Sequence, residues 1–463
     1  MFDLANVAIH AHLLPTGKVL YWGRRSVPGG PSFASLNEHF CSTFLWDPAT
    51  GKSEPTAQVP RLENGEGVNL FCSGHSFLPD GRLLVVGGHL FDSEGVDQAC
   101  IYDPVADTWT ALPRMNNGRW YPSALTLPEG GVLAISGSFA QGRPQPPPDS
   151  PVPPPAGTKF PPNPNPQIWR GNAWAPTDNF IGLQLFPRLH VEPKQGRVFM
   201  AGPGGETFFL DTTGAGTWTS GPVRDGACRD YAPSVMYASG KVLFAGGGLD
   251  KDTQLPTNLA ETIDLNAPDP QWKPTAPMHF RRRQHNATVL PDGSVLVTGG
   301  TQGVVGNPGW LAFDNVRAGG PVHQAELWDT VATGTWTLMA EESVDRCYHS
   351  VALLLPDGRV LSAGGGEYAP NNPDAPNQPN PAGDSHKDAQ LFSPHYLFKG
   401  PRPTIAAAPT EITYAKSFEI TVGEGDSIAK VSWIRLSSVT HSCNQNQLLN
   451  FLGFRQEASK III

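Results

Sequence analysis

The sequence predicts an all-β protein in two parts, a seven-bladed β-propeller over residues 1–400 and a short immunoglobulin-like β-sandwich over residues 401–463. Three observations lead to this prediction. A cassette of two apolar strands around a tight turn recurs seven times, 50 Gly and 47 Pro are spread through 463 residues, and a different strand pattern follows the last cassette. Frequent turns favour short strands over helices, and repeats of this length are typical of propellers.

Each cassette consists of an apolar strand, a turn of the LPDG kind, a second apolar strand and usually a glycine pair. The copies read LPTGKVLYWG from Leu14, LPDGRLLVVGG from Leu78, LPEGGVLAISG from Leu127, PKQGRVFMAG from Pro193, YASGKVLFAGGG from Tyr237, LPDGSVLVTGG from Leu290 and LPDGRVLSAGGG from Leu355. They recur roughly every 45 to 65 residues, which leaves room for the four strands of one blade. The sequence of the seventh blade shows three strands. A propeller usually closes by taking the fourth strand from the other terminus, and Met1 to Asn6 is short for such a strand.

Two proline-rich insertions interrupt the cassettes. GRPQPPPDSPVPPPAGTKFPPNPNPQ follows Phe139 closely, and EYAPNNPDAPNQPNPAG starts at Glu367. Such runs favour extended polyproline II loops. Both follow the glycine end of a second strand, so we expect them on one face, where they could rim an entrance.

After Pro401 the strand pattern changes to PTIAAAPTEITYAKSFEITVGEG and AKVSWIRLSSVTHSCNQNQ. Apolar alternation and glycine turns indicate a small sandwich. A sandwich domain needs roughly 100 residues, so we expect this one to be incomplete.

Composition excludes several classes of partner. Charged residues make up 16% of the chain and the formal charge is −9, which argues against nucleic acid and anionic membranes. No apolar run approaches the ~20 residues of a membrane span. The N-terminus lacks the basic region and cleavage site of a signal peptide. The six cysteines lack zinc-type spacing, and a disulfide pairing is not specified.

Aligning the cassettes by their turn glycine exposes one chemically unusual position. Counting back nine residues from each turn glycine reaches Ala8, Cys72, Tyr121, Pro187, Tyr231, Gln284 and His349. In a ring of equivalent blades, equal register means equal height. The sequence therefore predicts that a cysteine, two tyrosines and a histidine face one level of a shared axis.

The neighbours of this level follow from the same alignment. Tyr348 precedes His349, and Tyr231 and Gln284 could line a pocket. His10 and His12 share one face of the first strand but fall below the level of the candidate ligands, and we interpret them as structural. Arg119, Arg229 and Arg346 are more easily explained by hydrogen bonds within the scaffold.

Tyrosinate and imidazole together suit a transition metal such as Cu(II) or Fe(III) better than Mg or Ca. Two tyrosines and one histidine would need a further nitrogen ligand for a nearly square site. His441, in LSSVTHSCNQNQ, is available, although a lone loop histidine is more often structural.

Five segments in order resemble the copper radical oxidases, the family of galactose oxidase and glyoxal oxidase. They are FCSGHSFLPDGRLLVVGG around Cys72, GRWYPSALTLPEG around Tyr121, RCYHSVALLLPDGRVLSAGGG around Tyr348, DAQLFSPHYLF near Tyr396 and RLSSVTHSCNQNQ around His441. The resemblance covers nearly the whole chain and implies a kelch-type propeller with a galactose oxidase-like early-set domain.

The resemblance also implies a role for each residue. Cys72 would form a thioether with Tyr121, giving a self-generated radical cofactor. Tyr121, Tyr348, His349 and His441 would bind copper, with His441 brought in on a hairpin that threads the central channel. Tyr348 would act as the general base, and Phe139 would occupy the place of the aromatic residue that covers the cross-linked tyrosine.

The implied activity is oxidation of simple aldehydes, as hydrates, or of primary alcohols by O2, with release of H2O2. RWYP at Tyr121 is closer to glyoxal oxidases, and IGLQLFPRLHVEP lacks an arginine where galactose oxidase contacts its sugar, although Arg188 lies nearby. Simple aldehydes are therefore favoured over galactose-type alcohols. The resemblance further suggests a monomer outside the cell or at its surface.

Two other classes of function compete with an oxidase. A kelch-like propeller could bind a glycan or a protein without catalysis. The presence of the whole set of cysteine, tyrosines and histidines in matching places argues against that alternative. A hydrolase is weaker still, because no acidic pair occurs at the register position.

Overall fold

The protein is described here by a computed structural model covering residues 1–24, 41–61, 65, 67–140, 158–224, 228–248, 255–303, 316, 318–330, 334–367, 385–413 and 415–463. The predicted proline-rich loops fall largely on residues 141–157 and 368–384, outside the described residues. Within the described residues, the cassettes form seven antiparallel sheets of β-strands. Because the chain is nearly all strand and turn, the prediction of an all-β protein is confirmed.

The first three sheets follow the chain from its N-terminus. The chain begins with β1 (Phe2–Asp3), and the first sheet contains β2 (His10–Leu13), β3 (Val19–Trp22), β4 (Thr43–Asp47) and β5 (Lys52–Pro55). The second contains β6 (Gly74–Phe77), β7 (Leu83–Val86), β10 (Ala99–Asp103) and β11 (Thr108–Ala111), with a separate ribbon of β8 (His89–Phe91) and β9 (Glu94–Gly95). The third contains β12 (Trp120–Thr126), β13 (Val132–Ser138), β14 (Gln167–Arg170) and β15 (Ala173–Pro176).

The next four sheets repeat this order. The fourth contains β16 (Arg188–Val191), β17 (Val198–Gly202), β18 (Phe208–Asp211) and β19 (Thr217–Ser220). The fifth contains β20 (Ser234–Ala238), β21 (Lys241–Ala245), β22 (Ala260–Asp264) and β23 (Lys273–Thr275). The sixth contains β24 (Asn286–Val289), β25 (Val295–Thr298), β26 (Gln324–Trp328) and β27 (Trp336–Glu341). The seventh contains β28 (Ser350–Leu354), β29 (Val360–Gly364), β30 (Asp388–Phe392) and β1.

The N-terminal segment completes the seventh sheet. Phe2 and Asp3 pair antiparallel with Ala389 and Asp388 of β30, so the expectation that Met1 to Asn6 is too short for a closing strand is wrong. Two residues suffice because the Phe2 ring also stacks on Trp46 of the first sheet, 5.1 Å away.

The cassette turn follows from its glycine. Gly81 has φ 85°, a left-handed conformation that glycine adopts without steric cost. Its N–H donates to Leu78 O at 2.9 Å, which closes the turn between β6 and β7. The equivalent glycines of the other six cassettes also have positive φ.

The hydrophobic core lies between neighbouring sheets. In β7, Leu83 and Val85 pack with residues of the first sheet, and Leu84 and Val86 pack with residues of the third. Side chains alternate across a strand, so a strand buried on both faces reads as a continuous apolar run. This explains the uninterrupted apolar letters of each cassette.

In the third, sixth and seventh sheets, a buried arginine near the register residue holds neighbouring strands together. Arg119 donates to Ser136 O at 2.8 Å, Arg282 to Gly299 O at 2.9 Å and Arg346 to Gly364 O at 2.9 Å. Arg282 also pairs with Glu326 at 2.6 Å, with both side chains fully buried. These contacts confirm the expectation that Arg119 and Arg346 serve the scaffold.

The C-terminal part contains two small sheets and a hairpin. One sheet consists of β31 (Ile405–Ala407), β32 (Glu419–Val422), β38 (Lys460–Ile462) and β37 (Arg455–Glu457), and β33 (Val431–Ile434) pairs with β36 (Leu449–Leu452). The hairpin of β34 (Ser438–Thr440) and β35 (Cys443–Asn444) joins the first sheet, where β34 pairs with β2. A 3₁₀ helix, His395–Phe398, precedes this part. Within the described residues, no helix has the length and apolar character of a membrane span.

Candidate metal centre

The register residues share an uncommon backbone conformation. Cys72, Tyr121, Tyr231, Gln284 and His349 have φ of 62°, 63°, 52°, 60° and 68°. A non-glycine residue in this left-handed region is uncommon, and such residues cluster at functional sites. The same bend at the same place in five sheets brings these residues together at one level.

The fourth sheet departs from the predicted register. The left-handed residue there is Phe186, with φ 44°, and not Pro187, because the proline ring fixes φ near −65°. Phe186 N–H donates to Tyr121 O at 2.8 Å, as Tyr121 N–H donates to Cys72 O at 2.9 Å. A register shift between Arg188 and Leu189 accounts for the displacement by one residue.

Tyr121 lies at the centre of the site and is 3% exposed. Its hydroxyl contacts that of Tyr348, and its ring lies 4.6 Å from the His441 ring. Cys72 packs in the same buried cluster as Tyr121 and Phe186, and its backbone carbonyl accepts from Tyr121. The structure therefore brings together the cysteine and the tyrosine that the resemblance links.

Tyr348 and His349 enter from the seventh sheet. Their rings stack at 3.8 Å, and the His349 ring lies 4.7 Å from the His441 ring. The Tyr231 hydroxyl lies 3.4 Å from that of Tyr348. Three phenol oxygens and two imidazoles thus occupy one buried region.

His441 reaches this region at the tip of the hairpin. His441 and Ser442 have φ of 47° and 65° between β34 and β35, the two left-handed residues that a two-residue hairpin turn favours. The following amides fix the hairpin among the inner strands of other sheets: Gln445 Oε1 accepts from His75 N and Ala124 N, at 3.1 Å and 2.8 Å. The residues alone favoured a structural role for a lone loop histidine, and the resemblance implied the hairpin that carries it.

Hydrogen bonds determine which imidazole nitrogen carries the proton. His349 Nδ1 lies 2.5 Å from Gly366 O, which can only accept. His441 Nδ1 lies 2.6 Å from Thr440 Oγ1, which itself donates to Ile9 O. Both Nδ1 atoms are therefore the protonated ones. Each Nε2 is left with a lone pair, and neither has a hydrogen-bond partner among the described residues.

Burial sets the charge state of the ring groups. It lowers the pKa of His349 to about 3 and that of His441 well below the usual value, so both imidazoles are neutral. It raises the pKa of Tyr121 and Tyr348 well above the usual value for a phenol. Two neighbouring buried phenols ionise only beside a cation, and a metal would supply one.

The three predicted pocket residues differ in their contacts. Gln284 is 2% exposed, and among the described residues its Nε2 and Oε1 have no hydrogen-bond partner. Tyr231 contacts Tyr348, as above. Phe139 is buried just after β13. Two rings stack on Tyr121: Trp120, at 3.6 Å and 6°, and Phe186, at 4.5 Å and 28°. The place of Phe139 over that tyrosine stays a prediction.

Several side chains around the site were not identified from the sequence. Phe71 lies 5.4 Å from His349 and 6.0 Å from His441, and the Arg24 guanidinium lies 5.0 Å above its ring. Arg24 also pairs with the half-exposed Asp92 at 3.0 Å. Phe71 and Trp120 each adjoin a register residue, and that adjacency could have identified them.

His10 is closer to the site than its register suggested. Its Nε2 accepts from Cys72 N–H at 3.0 Å, and its ring lies 5.7 Å from that of His441. His10 Nδ1 then donates to His75 Nε2 at 3.2 Å, and Ser438 Oγ joins His75 to His12 at 2.6 Å and 2.9 Å. These three histidines connect the first two sheets to the hairpin that carries His441.

Comparison with known proteins adds two domain matches. Residues 402–462 match the galactose oxidase-like early set domain, and residues 78–116 match the Kelch motif. The first match confirms the predicted type of the C-terminal domain, and the second covers the end of β6 through β11.

Whole-chain relatives point the same way. A galactose oxidase of Gibberella zeae is 31% identical over 96% of this chain, which spans about three fifths (62%) of that relative's length. The aldehyde oxidase GLOX of Vitis pseudoreticulata is 27% identical over 97% of this chain and 82% of its own length. These identities confirm the resemblance and do not decide between the galactose oxidase and glyoxal oxidase types.

A solved structure extends the comparison to the fold. A fungal alcohol oxidase of the AA5 family, in complex with copper, is 27% identical, with a TM-score of 0.78 over 99% of this chain and 91% of its own. The similarity thus includes both the cassette sheets and the C-terminal part.

Proposed function

Since this chain is a relative of galactose oxidase and of the GLOX aldehyde oxidases, we propose that it is a copper radical oxidase that oxidises simple aldehydes or primary alcohols with O2 and releases H2O2. One observation carries the proposal: the His349 and His441 rings, whose Nε2 atoms have no partner among the described residues, contact the Tyr121 and Tyr348 rings, and the two tyrosine hydroxyls contact each other. Two imidazoles and two phenols suit copper better than Mg or Ca.

The residues fit the metal in protonation as well as in kind. Gly366 O and Thr440 Oγ1 hold the two Nδ1–H groups, which fixes the tautomers that leave Nε2 available. When bound, copper would supply one of the two redox equivalents that oxidation of an alcohol or an aldehyde hydrate requires. Tyr348 Oη would take the proton from the substrate hydroxyl, as a general base within the site.

The second redox equivalent would come from a thioether between Cys72 Sγ and a ring carbon of Tyr121. Its formation removes two hydrogens, which O2 takes up as H2O2. Support comes from the shared buried cluster of the two residues and from the backbone hydrogen bond that joins them. Peptide mass spectrometry after copper and air should give a Cys72–Tyr121 peptide two hydrogens lighter than its parts. Its absence, with copper bound, would contradict the thioether.

The substrate pocket in this proposal contains Gln284, Tyr231 and Phe139. The unpartnered, buried amide of Gln284 favours a ligand with hydroxyl groups, because a buried polar group without a partner costs about 1 to 3 kcal/mol. Arg188 does not serve this pocket: it is buried and its guanidinium donates to Ala232 O at 2.8 Å. Simple aldehyde hydrates are thus preferred to galactose-type alcohols.

The proposal includes the architecture that carries the site. Inner strands contact each other between the second, third and fourth sheets and between the fifth, sixth and seventh, and β28 of the seventh sheet contacts β2 of the first. Side-chain hydrogen bonds of His10 with His75 and of His190 with Ser234 join the other two pairs of neighbouring sheets. These contacts support a closed seven-bladed propeller over residues 1–400. Residues 401–463 would form the early-set domain that supplies His441. A monomer located outside the cell or at its surface is proposed on the resemblance alone.

Peroxide release is the direct test. The copper-loaded chain should produce H2O2 with glyoxal or methylglyoxal and less with galactose, and His349→Ala should abolish this activity while leaving the fold intact by circular dichroism. Copper binding without peroxide release from any of these substrates would contradict an oxidase. It would favour the alternative of a kelch-like propeller that binds a glycan or a protein.

A further inference from the structure

A third tyrosine lies beside the two proposed ligands. The Tyr231 hydroxyl is 3.4 Å from the Tyr348 hydroxyl, and the two rings meet edge to face at 5.5 Å and 83°. Tyr231 packs against the buried cluster that contains Cys72 and Tyr121. Tyr231 precedes β20 of the fifth sheet and lies beside Tyr348.

The backbone holds Tyr231 in place before any metal arrives. Its φ of 52° is left-handed. Its N–H donates to Asp230 Oδ1 at 3.1 Å, and its carbonyl accepts from Gln284 N at 3.0 Å. Because hydrogen bonds fix both the N–H and the carbonyl of Tyr231, the residue is preorganised. Little conformational entropy is then lost when the site binds a metal.

The protonation states of the three phenols decide which group donates the hydrogen bond between Tyr231 and Tyr348. Bound to a metal, Tyr121 and Tyr348 would be phenolates, which only accept hydrogen bonds. Tyr231 keeps its hydroxyl and can donate. Tyr348 Oη lies within reach at 3.4 Å, and the Tyr121 hydroxyl is also close. The edge-to-face contact of the two rings favours Tyr348 as the acceptor. A hydrogen bond to an anionic oxygen is shorter and about twice as strong as one between neutral groups.

Tyr231 approaches the site through Tyr348. Tyr121 and Tyr348 both contact the His441 ring, at 4.6 Å and 5.8 Å. The Tyr231 ring meets the Tyr348 ring edge to face, so its hydroxyl is placed to act on the proposed base.

We propose that Tyr231 is a positioning residue whose hydroxyl donates to Tyr348 Oη, holding that phenolate at the metal and reducing its basicity. This inference rests on the proposed function and replaces a merely pocket-lining role for Tyr231. Loss of such an outer partner commonly weakens metal affinity or activity by about 10- to 100-fold.

The test compares Tyr231→Phe with Tyr237→Phe in the full, copper-loaded chain. Tyr237 is a half-buried tyrosine that packs on Trp328, 5.0 Å away, outside the site. Tyr231→Phe should shift the tyrosinate-to-Cu(II) absorption band to longer wavelength, weaken copper binding about 10-fold and lower kcat more than it changes KM. Tyr237→Phe should change none of these.

A second measurement needs no variant. In the wild-type chain, resonance Raman spectra in H2O and D2O should show a shift of the tyrosinate C–O stretch, because the donated proton exchanges. An unchanged stretch together with an unchanged band in Tyr231→Phe would overturn the inference, as would loss of a whole tyrosinate band, which would make Tyr231 itself a ligand. A wild-type chain without any tyrosinate band would instead refute the proposed function.

Discussion

At the scale of single residues, the neighbours of the register positions shape the site. Trp120 stacks on Tyr121 at 3.6 Å, and Phe71 separates Arg24 from the two histidines. Both aromatic residues come one position before a left-handed residue. The left-handed bend turns consecutive side chains toward the same region, which an ordinary strand would place on opposite faces.

In the proposed radical oxidase, Trp120 should stabilise an unpaired electron on Tyr121, because its parallel ring lies 3.6 Å away and can share the electron. We expect Trp120→Leu to raise the potential at which Tyr121 is oxidised and to lower the yield of the proposed radical. Redox titration followed by absorbance measures both. Trp174→Leu, in the third sheet away from Tyr121, serves as the control. Equal potentials in both variants would contradict the role of Trp120.

Buried histidines away from the site make folding sensitive to acid. Burial lowers the pKa of His190 to about 3, while in the unfolded chain it is about 6.5. Between these values the unfolded state binds the proton and the folded state does not, so stability is lost as the pH falls below about 6.5. At pH 5 this one residue costs about 2 kcal/mol.

His190→Gln should reduce the difference in unfolding free energy between pH 7 and pH 5 by about 2 kcal/mol. Urea unfolding at the two pH values measures it. His279→Gln, at a half-exposed histidine, provides the comparison. A pH dependence identical to that of the wild type would show that His190 is protonated in the folded state.

At the scale of elements, the hairpin of β34 and β35 determines whether the site is complete. It adds to the first sheet through β2 and presents His441 at its tip. Ser438 holds it from beneath, since its hydroxyl bridges His75 and His12. His12, which the sequence predicted to be structural, thus helps to support the element that carries a proposed ligand.

Ser438→Ala should destabilise the fold by about 1 to 3 kcal/mol, because two buried imidazole nitrogens lose their partner. It should also weaken copper binding, because β34 carries His441. The adjacent Ser437 is a matched control: it is buried and, among the described residues, its Oγ has no hydrogen-bond partner. Ser437→Ala should be neutral or slightly stabilising. Urea unfolding and copper competition measure both variants, and equal effects would refute the bridge.

At the scale of the whole molecule, the two ends of the cassette region are joined. β1 pairs with β30 of the seventh sheet, and Phe2 stacks on Trp46 of the first. The contact between β28 and β2 lies at the same junction. The proposed ring, closed in this way, would have no open sheet edge between its first and last units.

Phe2→Ala should lower the unfolding free energy by about 2 kcal/mol, less than the 3 to 5 kcal/mol of a fully buried phenylalanine, because Phe2 is only half-buried. Phe398→Ala, at a phenylalanine that is 75% exposed, should change stability little. Chemical denaturation of the two variants under the same conditions measures both changes in unfolding free energy. If the two variants lost the same unfolding free energy, the Phe2 contact would contribute nothing to joining the first and seventh sheets.

The sequence by itself determined the repeated sheets, the glycine turns and the level at which Cys72, Tyr121, Tyr231, Gln284 and His349 lie. These follow from local rules, since strand alternation and turn conformation depend on neighbouring residues. Only the tertiary structure decided that Phe186 replaces Pro187, that Trp120 covers Tyr121 and that His441 meets His349. A one-residue register shift, a left-handed bend and a hairpin from a distant segment are set by packing between parts of the chain that no local pattern connects.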